Sequence, residues 1–224
     1  MSDGDAAPEP AELERIAADT ARAAATLVGS AYGSPDPVGR KSSPTDVVTQ
    51  TDLSAEQLVR RMLHERTPSA GIVGEEGGAT TSGARLQWVI DPLDGTINFL
   101  YGVPLFAVSV AAAVDGEVVA GAVIDVLRKE LFSAHAGGGA RQNGASIVAS
   151  GCASLPEALI GTGFSYIAER RSSQGEVAAR LLVRARDLRY FGSAALELCW
   201  VACGRLDGYF QRDTEIWDRA AGAL

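Results

Sequence analysis

The nine residues from Asp91 to Phe99 carry the strongest chemical signal in the sequence. A buried apolar strand ends here and would deliver two carboxylates, Asp91 and Asp94, to its carboxyl end. Gly95 and Thr96 then offer backbone N–H groups at a predicted helix N-terminus, where phosphates bind. Carboxylates beside these N–H groups would repel a bare anion, so we expect divalent cations between the carboxylates and a phosphate. Mg²⁺ prefers such oxygen ligands.

A plainer interpretation of the same residues is a turn. Asp94 and Gly95 form a dipeptide that is common in hairpins, and Asp91 would then be a cap. An isolated Asp-Gly pair would favour the turn. Here nine consecutive positions suit one chemical purpose, which favours the interpretation as a metal and phosphate site.

Three further segments bring an acidic side chain that could reach the same cations: Gly74–Gly78 with Glu75, Trp217–Gly222 with Asp218, and Lys41–Asp46 with Asp52 beyond it. The first two have an ordinary alternative. Paired glutamates on a loop are usually solvated, and an aspartate in the first turn of a helix usually caps that helix. Each of these segments is a weak signal by itself.

The hydrophobic pattern predicts the elements that must position these residues. Helices are expected from Pro10 to just before Gly33, over about 53–66, 173–186 and 194–203, and from Trp217 onward. Strands are expected over 71–74, 86–90, 105–114, 118–126, 131–134, 158–162, 188–191 and 206–210. The first half is rich in strands and the second half alternates, which indicates mixed α and β structure in layers. We expect a disordered N-terminus over 1–9, an N-terminal α+β subdomain with the metal site over 10–156, and a C-terminal α/β subdomain over 157–224.

Composition and charge exclude several classes of protein. The chain has 224 residues and a formal charge of −8, and 46% of its residues are hydrophobic, which is ordinary for a globular protein. No apolar run is long enough for a transmembrane helix, and the acidic N-terminus lacks the basic start of a signal peptide. No basic stripe suggests nucleic-acid binding. The three cysteines, an odd number, indicate reduced thiols, so we expect a cytoplasmic protein without a membrane partner.

Four ordered motifs together resemble the inositol monophosphatase family of Mg²⁺-dependent, lithium-sensitive phosphatases: Gly74–Glu76, Asp91–Phe99, Gly192–Ala195 and Trp217–Gly222. The resemblance runs from about residue 11 to the last residue. It implies a layered αβαβα sandwich, usually assembled as a homodimer. It also implies two or three Mg²⁺ ions as cofactors and a small phosphorylated polyol as the substrate.

The same resemblance implies a role for individual residues, in three groups. The implied metal ligands are Glu75, Asp91, Asp94, Asp218 and the Leu93 carbonyl. The residues implied to bind phosphate and orient the attacking water are Gly95 and Thr96, with Thr96 acting beside Glu75 and Asp52. The residues implied to border the substrate are Gly192, Ser193 and Ala194, with Lys41 near the pocket mouth.

Two features depart from the family pattern. Where many members carry a glutamate that grips substrate hydroxyls, this chain has Gln211, and a neutral amide loses the strength of a charge-assisted hydrogen bond. The chain also ends at Leu224, six residues after Asp218. Since members of the family continue for several dozen residues, the chain is expected to be a C-terminally truncated member that lacks the last strands and helices.

The leading hypothesis is hydrolysis of a small phosphate monoester of the inositol-1-phosphate type by a metal-activated water, without a phosphoenzyme. Fructose-1,6-bisphosphate, histidinol phosphate and a 3′-phosphonucleotide would use the same metal core and stay open as substrates. A member without catalytic activity that binds a partner, or an inactive truncated member, is the alternative of a different class.

Overall fold

A computed structural model describes residues 7–40, 47–80 and 83–224. The prediction for Lys41 lies outside the described residues, as does most of the predicted disordered N-terminus. Residues 7–9 precede the first helix without regular secondary structure. The helices are α1 (Pro10–Ala31), α2 (Gln50–Arg66), α3 (Thr96–Leu100), α4 (Ala168–Leu182), α5 (Ala194–Ala202) and α6 (Ile216–Arg219), with a short 3₁₀ turn at Leu155–Glu157.

Strands form a hairpin and two larger sheets. The hairpin pairs β1 (Pro37–Arg40) with β2 (Val47–Thr49). The strands of the large sheet are β3 (Gly71–Gly74), β4 (Gly78–Thr80), β5 (Leu86–Asp94), β6 (Ala107–Val114), β7 (Glu117–Asp125), β8 (Glu130–His135), β9 (Gly139–Gln142) and β10 (Ala145–Ser146). Their order is β10-β9-β8-β7-β6-β5-β3-β4. Strands β3 and β5 pair parallel, and every other pair of neighbouring strands in this sheet is antiparallel. The small sheet is parallel and has β11 (Leu159–Thr162) between β12 (Asp187–Arg189) and β13 (Gly208–Phe210).

The central strands of the large sheet, β5, β6 and β7, are buried on both faces. Alternation along β5 sends Trp88 and Ile90 into the core beneath α1 and α2, while Val89 packs in the second core with Leu196 and Trp200 of α5. Helix α5 also contacts the small sheet, and α4 contacts its strand β12. The predicted layered αβαβα arrangement is therefore confirmed. The two subdomains over 10–156 and 157–224 stay a prediction.

Helix α2 begins at Gln50, three residues before the predicted start near 53. Thr49 is the N-cap, and a capping box joins it to Asp52, whose Oδ2 accepts a 2.9 Å hydrogen bond from the Thr49 backbone N–H. The reciprocal bond runs from the Asp52 N–H to Thr49 Oγ1 at 3.3 Å. The earlier start places Asp52 in the first turn, where the capping box fixes its carboxylate against the Thr49 backbone.

The predicted helix over 173–186 was placed too late. Helix α4 covers Ala168–Leu182, so the arginine-rich segment before residue 173 is helical rather than loop. Arg171 Nη1 donates to the carbonyls of Ser165 and Tyr166, both at 3.3 Å, and these bonds support the first turn in place of a capping side chain. Among the described residues, no helix combines the length and the apolarity needed to cross a membrane.

Candidate active site

A β-bulge in β5 brings Asp91 and Asp94 to the same side of the sheet. Residues three apart on a regular strand point to opposite faces. Here Asp91 pairs with Ser109 of β6 while Asp94 pairs with Ala107, so the extra residue lies at Pro92 and Leu93. Proline suits this position because it has no N–H to donate to the ladder. Both carboxylates thus face α5 and α6, and they are only 2% and 8% exposed.

Asp94 is bonded to the Gly192–Ala195 segment, which leads into α5. Its Oδ2 accepts from Ser193 Oγ at 2.6 Å and from the Ala195 N–H at 2.8 Å. Burial raises the pKa of Asp94 to about 6, against the lowering effect of these bonds, and the negative charge of Glu75 raises it further. A buried carboxylate beside like charges is a group that a cation would stabilise.

Thr96 stands between Asp52 and the backbone of the bulge. Its Oγ1 lies 3.0 Å from Asp52 Oδ1 and 3.0 Å from the Leu93 carbonyl oxygen. Asp52 is fully buried and Thr96 is 9% exposed, so the pair is shielded from competing water. The structure therefore brings Asp52 into the site even though it lies 44 residues from Thr96 in the sequence.

Two glycines let the chain close around the site. Gly95 has φ +95° and caps α3, and a Cβ there would lie 3.2 Å from the carbonyl oxygens of Gly192 and Leu105. Gly192 has φ +81° and a Cβ there would lie 3.0 Å from Asn98 Nδ2. Asn98 joins both segments, since its Nδ2 donates to the Leu105 carbonyl at 2.8 Å and to the Phe191 carbonyl at 2.7 Å. Sequence reasoning gave Asn98 no role of its own.

Asp218 reaches the site from α6. It is the N3 residue of that short helix, and its Oδ2 accepts from the Glu215 N–H at 2.8 Å, so the expected capping role is real. Burial and the charges of Asp94 and Glu75 raise the pKa of Asp218 to about 7. The helix packs closely because Gly222 touches α5, where a Cβ would lie 3.0 Å from the Ala195 carbonyl oxygen.

One pocket brings the sequence-predicted residues together. Its lining includes Glu75, Asp91, Leu93, Asp94, Gly95, Thr96, Gly192, Ser193, Ala194, Gln211 and Asp218. Asp52 lies behind Thr96 rather than on the pocket wall. The wall also holds Val47, Phe164, Tyr166, Tyr190 and Glu197.

Glu197 is the main residue of this wall that sequence reasoning missed. It is 1% exposed, and its Oε1 accepts from the Phe191 N–H at 3.2 Å. Burial raises its pKa to about 8. The only available signal was an acidic residue inside the apolar helix pattern of 194–203, one turn after Ser193.

Gln211 also lines the pocket, and Tyr209 sets its orientation. The Tyr209 hydroxyl donates to Gln211 Oε1. The amide N–H₂ group is then the part of Gln211 that can bind a substrate oxygen. Gly163 leaves room for this side chain, because a Cβ at that position would overlap the Gln211 amide.

The chemistry of the donor set fits Mg²⁺. Besides Glu197, four carboxylates and the backbone of Leu93 line the pocket with oxygen donors. The raised pKa values of Asp94 and Asp218 come first from burial and then from neighbouring negative charge, which a cation would offset. Among the described residues, no three His, Cys, Asp or Glu side chains stand close enough to form a finished ligand group. The pocket carboxylates accept hydrogen bonds from protein groups, as Asp91 Oδ1 does from the Leu93 N–H at 3.0 Å.

Comparison with known proteins agrees with this geometry. A model of the inositol monophosphatase family matches residues 9–224. The inositol-1-monophosphatase SuhB of Mycobacterium tuberculosis is 44% identical over 96% of this chain and 81% of its own length. The Nus factor SuhB of Escherichia coli is 38% identical over 93% of this chain and 79% of its own length.

A solved structure shows the same fold. The extragenic suppressor protein suhB of Bartonella henselae superimposes with a TM-score of 0.88 at 32% identity, over 95% of this chain and 83% of that one. The family match over nearly the whole chain agrees with the four motifs and the gathered carboxylates. The chain therefore belongs to the inositol monophosphatase family, and with it to the phosphatases that hydrolyse phosphate esters.

Proposed function

We propose that this chain is a Mg²⁺-dependent phosphomonoesterase whose substrate is a small polyol phosphate of the inositol-1-phosphate type. The observation that carries the proposal is the single pocket into which Glu75, Asp91, Asp94 and Asp218 converge beside the Asp52–Thr96 pair. Four buried or half-buried acids repel one another without counter-charge. Two divalent cations would balance them.

The metal ligands in this proposal form two overlapping sets: Glu75, Asp91 and the Leu93 carbonyl for one Mg²⁺, and Asp91, Asp94 and Asp218 for the other. When bound, Mg²⁺ neutralises the developing charge and lowers the pKa of water. A third ion is compatible with the same family resemblance. The resemblance is to lithium-sensitive phosphatases, so we expect lithium to inhibit this chain.

Thr96 would orient the attacking water. Its hydroxyl lies 3.0 Å from both Asp52 Oδ1 and the Leu93 carbonyl oxygen. Donation of its one proton to Asp52 would leave the lone pairs of the hydroxyl to accept a proton from water. Glu75 would accept the second proton from the other side. The backbone N–H groups of Gly95 and Thr96 would hold phosphate oxygens at the start of α3. We expect no phosphoenzyme, because the pocket hydroxyls of Thr96 and Ser193 are bonded to Asp52 and Asp94, which the proposal assigns to orienting water and to holding Mg²⁺ and not to activating a nucleophile.

The opposite wall would hold the alcohol part of the substrate. Gly192, Ser193 and Ala194 border the pocket, and Gln211 offers an amide N–H₂ to a substrate oxygen. Lys41 is proposed near the mouth from the resemblance alone. Fructose-1,6-bisphosphate, histidinol phosphate and a 3′-phosphonucleotide remain competing substrates, because they would use the same metal ligands.

A second candidate function is partner binding. The E. coli relative is named a Nus factor, which supports a role for this fold outside catalysis. The complete set of pocket carboxylates favours the phosphatase, since binding a partner requires none of them.

We also propose that the chain forms a homodimer, from the family resemblance, and that it works in the cytoplasm, because its three cysteines form no disulfide. Light scattering tests the dimer.

Phosphate release from a panel of sugar, inositol and histidinol phosphates tests the proposal. We expect release with Mg²⁺, none with a chelator, and a loss of at least about 1,000-fold in Asp94→Asn, since a catalytic metal contributes several kcal/mol. Asp115→Asn is the matched control, because Asp115 is exposed and pairs with Arg85 far from the pocket. Release that persists in chelator or in Asp94→Asn would refute the metal mechanism. Silence on every substrate from a folded chain would favour the partner-binding role.

A further inference from the structure

An ion pair on α2, between Glu56 and Arg60, contacts the loop that carries Glu75. The proposed mechanism does not use this pair. Glu56 is 3% exposed, and its Oε2 accepts from the Glu76 N–H at 2.8 Å. Its Oε1 accepts from the Gly77 N–H at 2.7 Å and from Arg60 Nε at 2.7 Å. Arg60 Nη2 then donates to the Gly78 carbonyl at 2.6 Å. We call Glu56 and Arg60 the α2 clamp.

The α2 clamp grips three consecutive backbone groups immediately after Glu75. A buried carboxylate is costly unless its oxygens are all hydrogen-bonded, and both oxygens of Glu56 are. Losing one partner would leave a buried charge or buried N–H groups unsatisfied. The loop therefore has a strong preference for one position over α2.

Two glycines of the Gly74–Gly78 motif make room for the Glu56 carboxylate. A Cβ at Gly74 would lie 2.7 Å from Glu56 Oε1, and a Cβ at Gly77 would lie 2.6 Å from the same atom. Neither glycine has a φ in the left-handed region, so close approach and not backbone freedom requires glycine here. The Gly74–Gly78 motif thus supplies both the space for the α2 clamp and the proposed metal ligand Glu75.

The clamp shares one helix face with Asp52. Asp52, Glu56 and Arg60 follow at four-residue spacing, which places them on the same side of α2. Asp52 contacts Thr96, while Glu56 and Arg60 contact the Glu75 loop. One rigid helix thereby connects the two segments proposed to orient the attacking water.

We propose that Glu56 and Arg60 are positioning residues that fix Glu75 relative to Thr96 and Asp91, so that the pocket binds its Mg²⁺ at low concentration. This inference rests on the proposed function, because it assigns Glu75 to the metal. Neither residue touches the pocket itself. They act through the loop, as residues behind metal ligands do, where substitution typically costs about 10- to 100-fold in metal affinity or activity.

The test compares Glu56→Gln with Glu65→Gln, an exposed position on the same helix. Hydrogen exchange at the Glu76 and Gly77 amides reports the clamp directly, without any assumption about activity. We expect exchange at these two amides to accelerate at least about tenfold in Glu56→Gln, and not in the control. The Mg²⁺ concentration for half-maximal activity, and Mg²⁺ affinity by calorimetry, should shift toward weaker binding by about 10- to 100-fold, while kcat at saturating Mg²⁺ changes less.

Arg60→Met, with Arg61→Met as its control, carries the test if Glu56→Gln fails to fold. It removes the bond to the Gly78 carbonyl and should give a smaller shift of the same two readouts. Unchanged amide exchange would overturn the clamp. Faster exchange with an unchanged Mg²⁺ requirement in an active, Mg²⁺-dependent enzyme would overturn its positioning role. Faster exchange in a chain whose wild type needs no Mg²⁺ would leave the clamp standing and refute the proposed function instead.

Discussion

The two walls of the pocket are built differently. On the wall formed by the large sheet and the start of α3, Asp91, Asp94 and Thr96 are each no more than 9% exposed and are bonded within a dense local network, which Asp52 of α2 supports from behind Thr96. On the wall formed by the small sheet, Tyr166 and Tyr190 are 40% and 57% exposed. The first wall is rigid and charged, and the second, which we call the recognition wall, is open and largely aromatic.

Under the proposed function, this difference would separate reactivity from recognition. Positions that handle the phosphate need fixed geometry, and the capping box, the bulge and the α2 clamp supply it on the rigid wall. The recognition wall tolerates change because fewer buried groups depend on each side chain. Gln211, the departure from the family pattern, lies on the recognition wall. Substitutions on the two walls should therefore change different kinetic quantities.

The largest effect is expected on the rigid wall, from Thr96→Val. The substitution keeps the shape and removes the hydroxyl that bridges Asp52 and the Leu93 carbonyl. We expect kcat to fall on the order of 1,000-fold with KM nearly unchanged, because the lost group orients the water and not the substrate.

Thr26→Val is the matched control, since Thr26 is an exposed threonine of α1 whose hydroxyl bonds only its own helix, at the Arg22 carbonyl. Steady-state phosphate release with each variant gives kcat and KM. A loss below about tenfold in Thr96→Val would show that the rigid wall does not orient the nucleophile, and the contrast between the walls would fail.

A second prediction uses pH to probe the same wall in the chelated protein. The folded pKa is about 6 for Asp94 and about 7 for Asp218, against ordinary values near 3.8. Between these limits the folded state binds more protons than the unfolded state, so the free energy of unfolding falls as pH rises. Glu197, with its pKa near 8, acts in the same direction. Acids with a lowered pKa, such as Glu130, contribute a rise with pH only up to roughly their ordinary value of 4.5.

Mg²⁺ bound as proposed would have to displace the same protons, so its affinity should rise on the order of 100-fold between about pH 5 and about pH 7. Thermal melts in chelator across this range should show a falling Tm, and calorimetric Mg²⁺ titrations should show the rising affinity. Asp94→Asn should flatten the dependence of Tm on pH, whereas Asp115→Asn should leave it intact. A Tm that rises with pH over this range in chelator would mean that the carboxylates carry no unfavourable charge.

The sequence predicted the rigid wall better than the recognition wall, for a physical reason. Apolar alternation placed a strand before Asp91, and the Asp-Gly-Thr run indicated the turn and helix start after it, because both are local patterns. The bulge that turns Asp91 and Asp94 to one face is set by pairing with β6, which no local pattern reports. The arrival of Asp52 beside Thr96 likewise depends on how α2 packs.

The sequence predicted less of the recognition wall, because almost all of its contacts depend on tertiary packing and not on a local pattern. Tyr190 and Phe164 pack edge to face with ring centroids 5.5 Å apart, although they follow separate strands. Glu197 looked like one polar residue in an apolar helix, and only the fold shows that it is buried against the Phe191 backbone. The start of α4 was misplaced because its first turn is supported by Arg171 and not by a capping residue.

A third prediction moves to the recognition wall. Gln211→Glu should raise kcat/KM for polyol phosphates about fivefold and leave kcat nearly unchanged. A carboxylate accepts a charge-assisted hydrogen bond from a substrate hydroxyl, which is worth about 1 kcal/mol more than a neutral one. Gln57→Glu on the exposed face of α2 controls for added charge. A fall in kcat with unchanged KM would place Gln211 in the chemistry and blur the division between the walls.

The smallest effect is expected from Arg171→Met at the rim of the recognition wall. Arg171 donates to the Ser165 and Tyr166 carbonyls, both at 3.3 Å, so its guanidinium already has partners in the loop before α4. We expect kcat/KM for a small monophosphate to stay within about twofold, since exposed arginines contribute little. Arg180→Met, farther along the same helix, is the control.

The same variant decides whether the rim recognises a second phosphate. If the substrate is a bisphosphate, an arginine near the pocket would bind the distal phosphate, and its loss would cost at least about tenfold in kcat/KM for that substrate alone. Fructose-1,6-bisphosphate and inositol-1-phosphate should therefore be assayed side by side with Arg171→Met. Equal small losses on both would favour the monophosphate, because the recognition wall would then read only the alcohol. A selective loss on the bisphosphate would extend the wall's role from hydroxyl recognition to charge recognition.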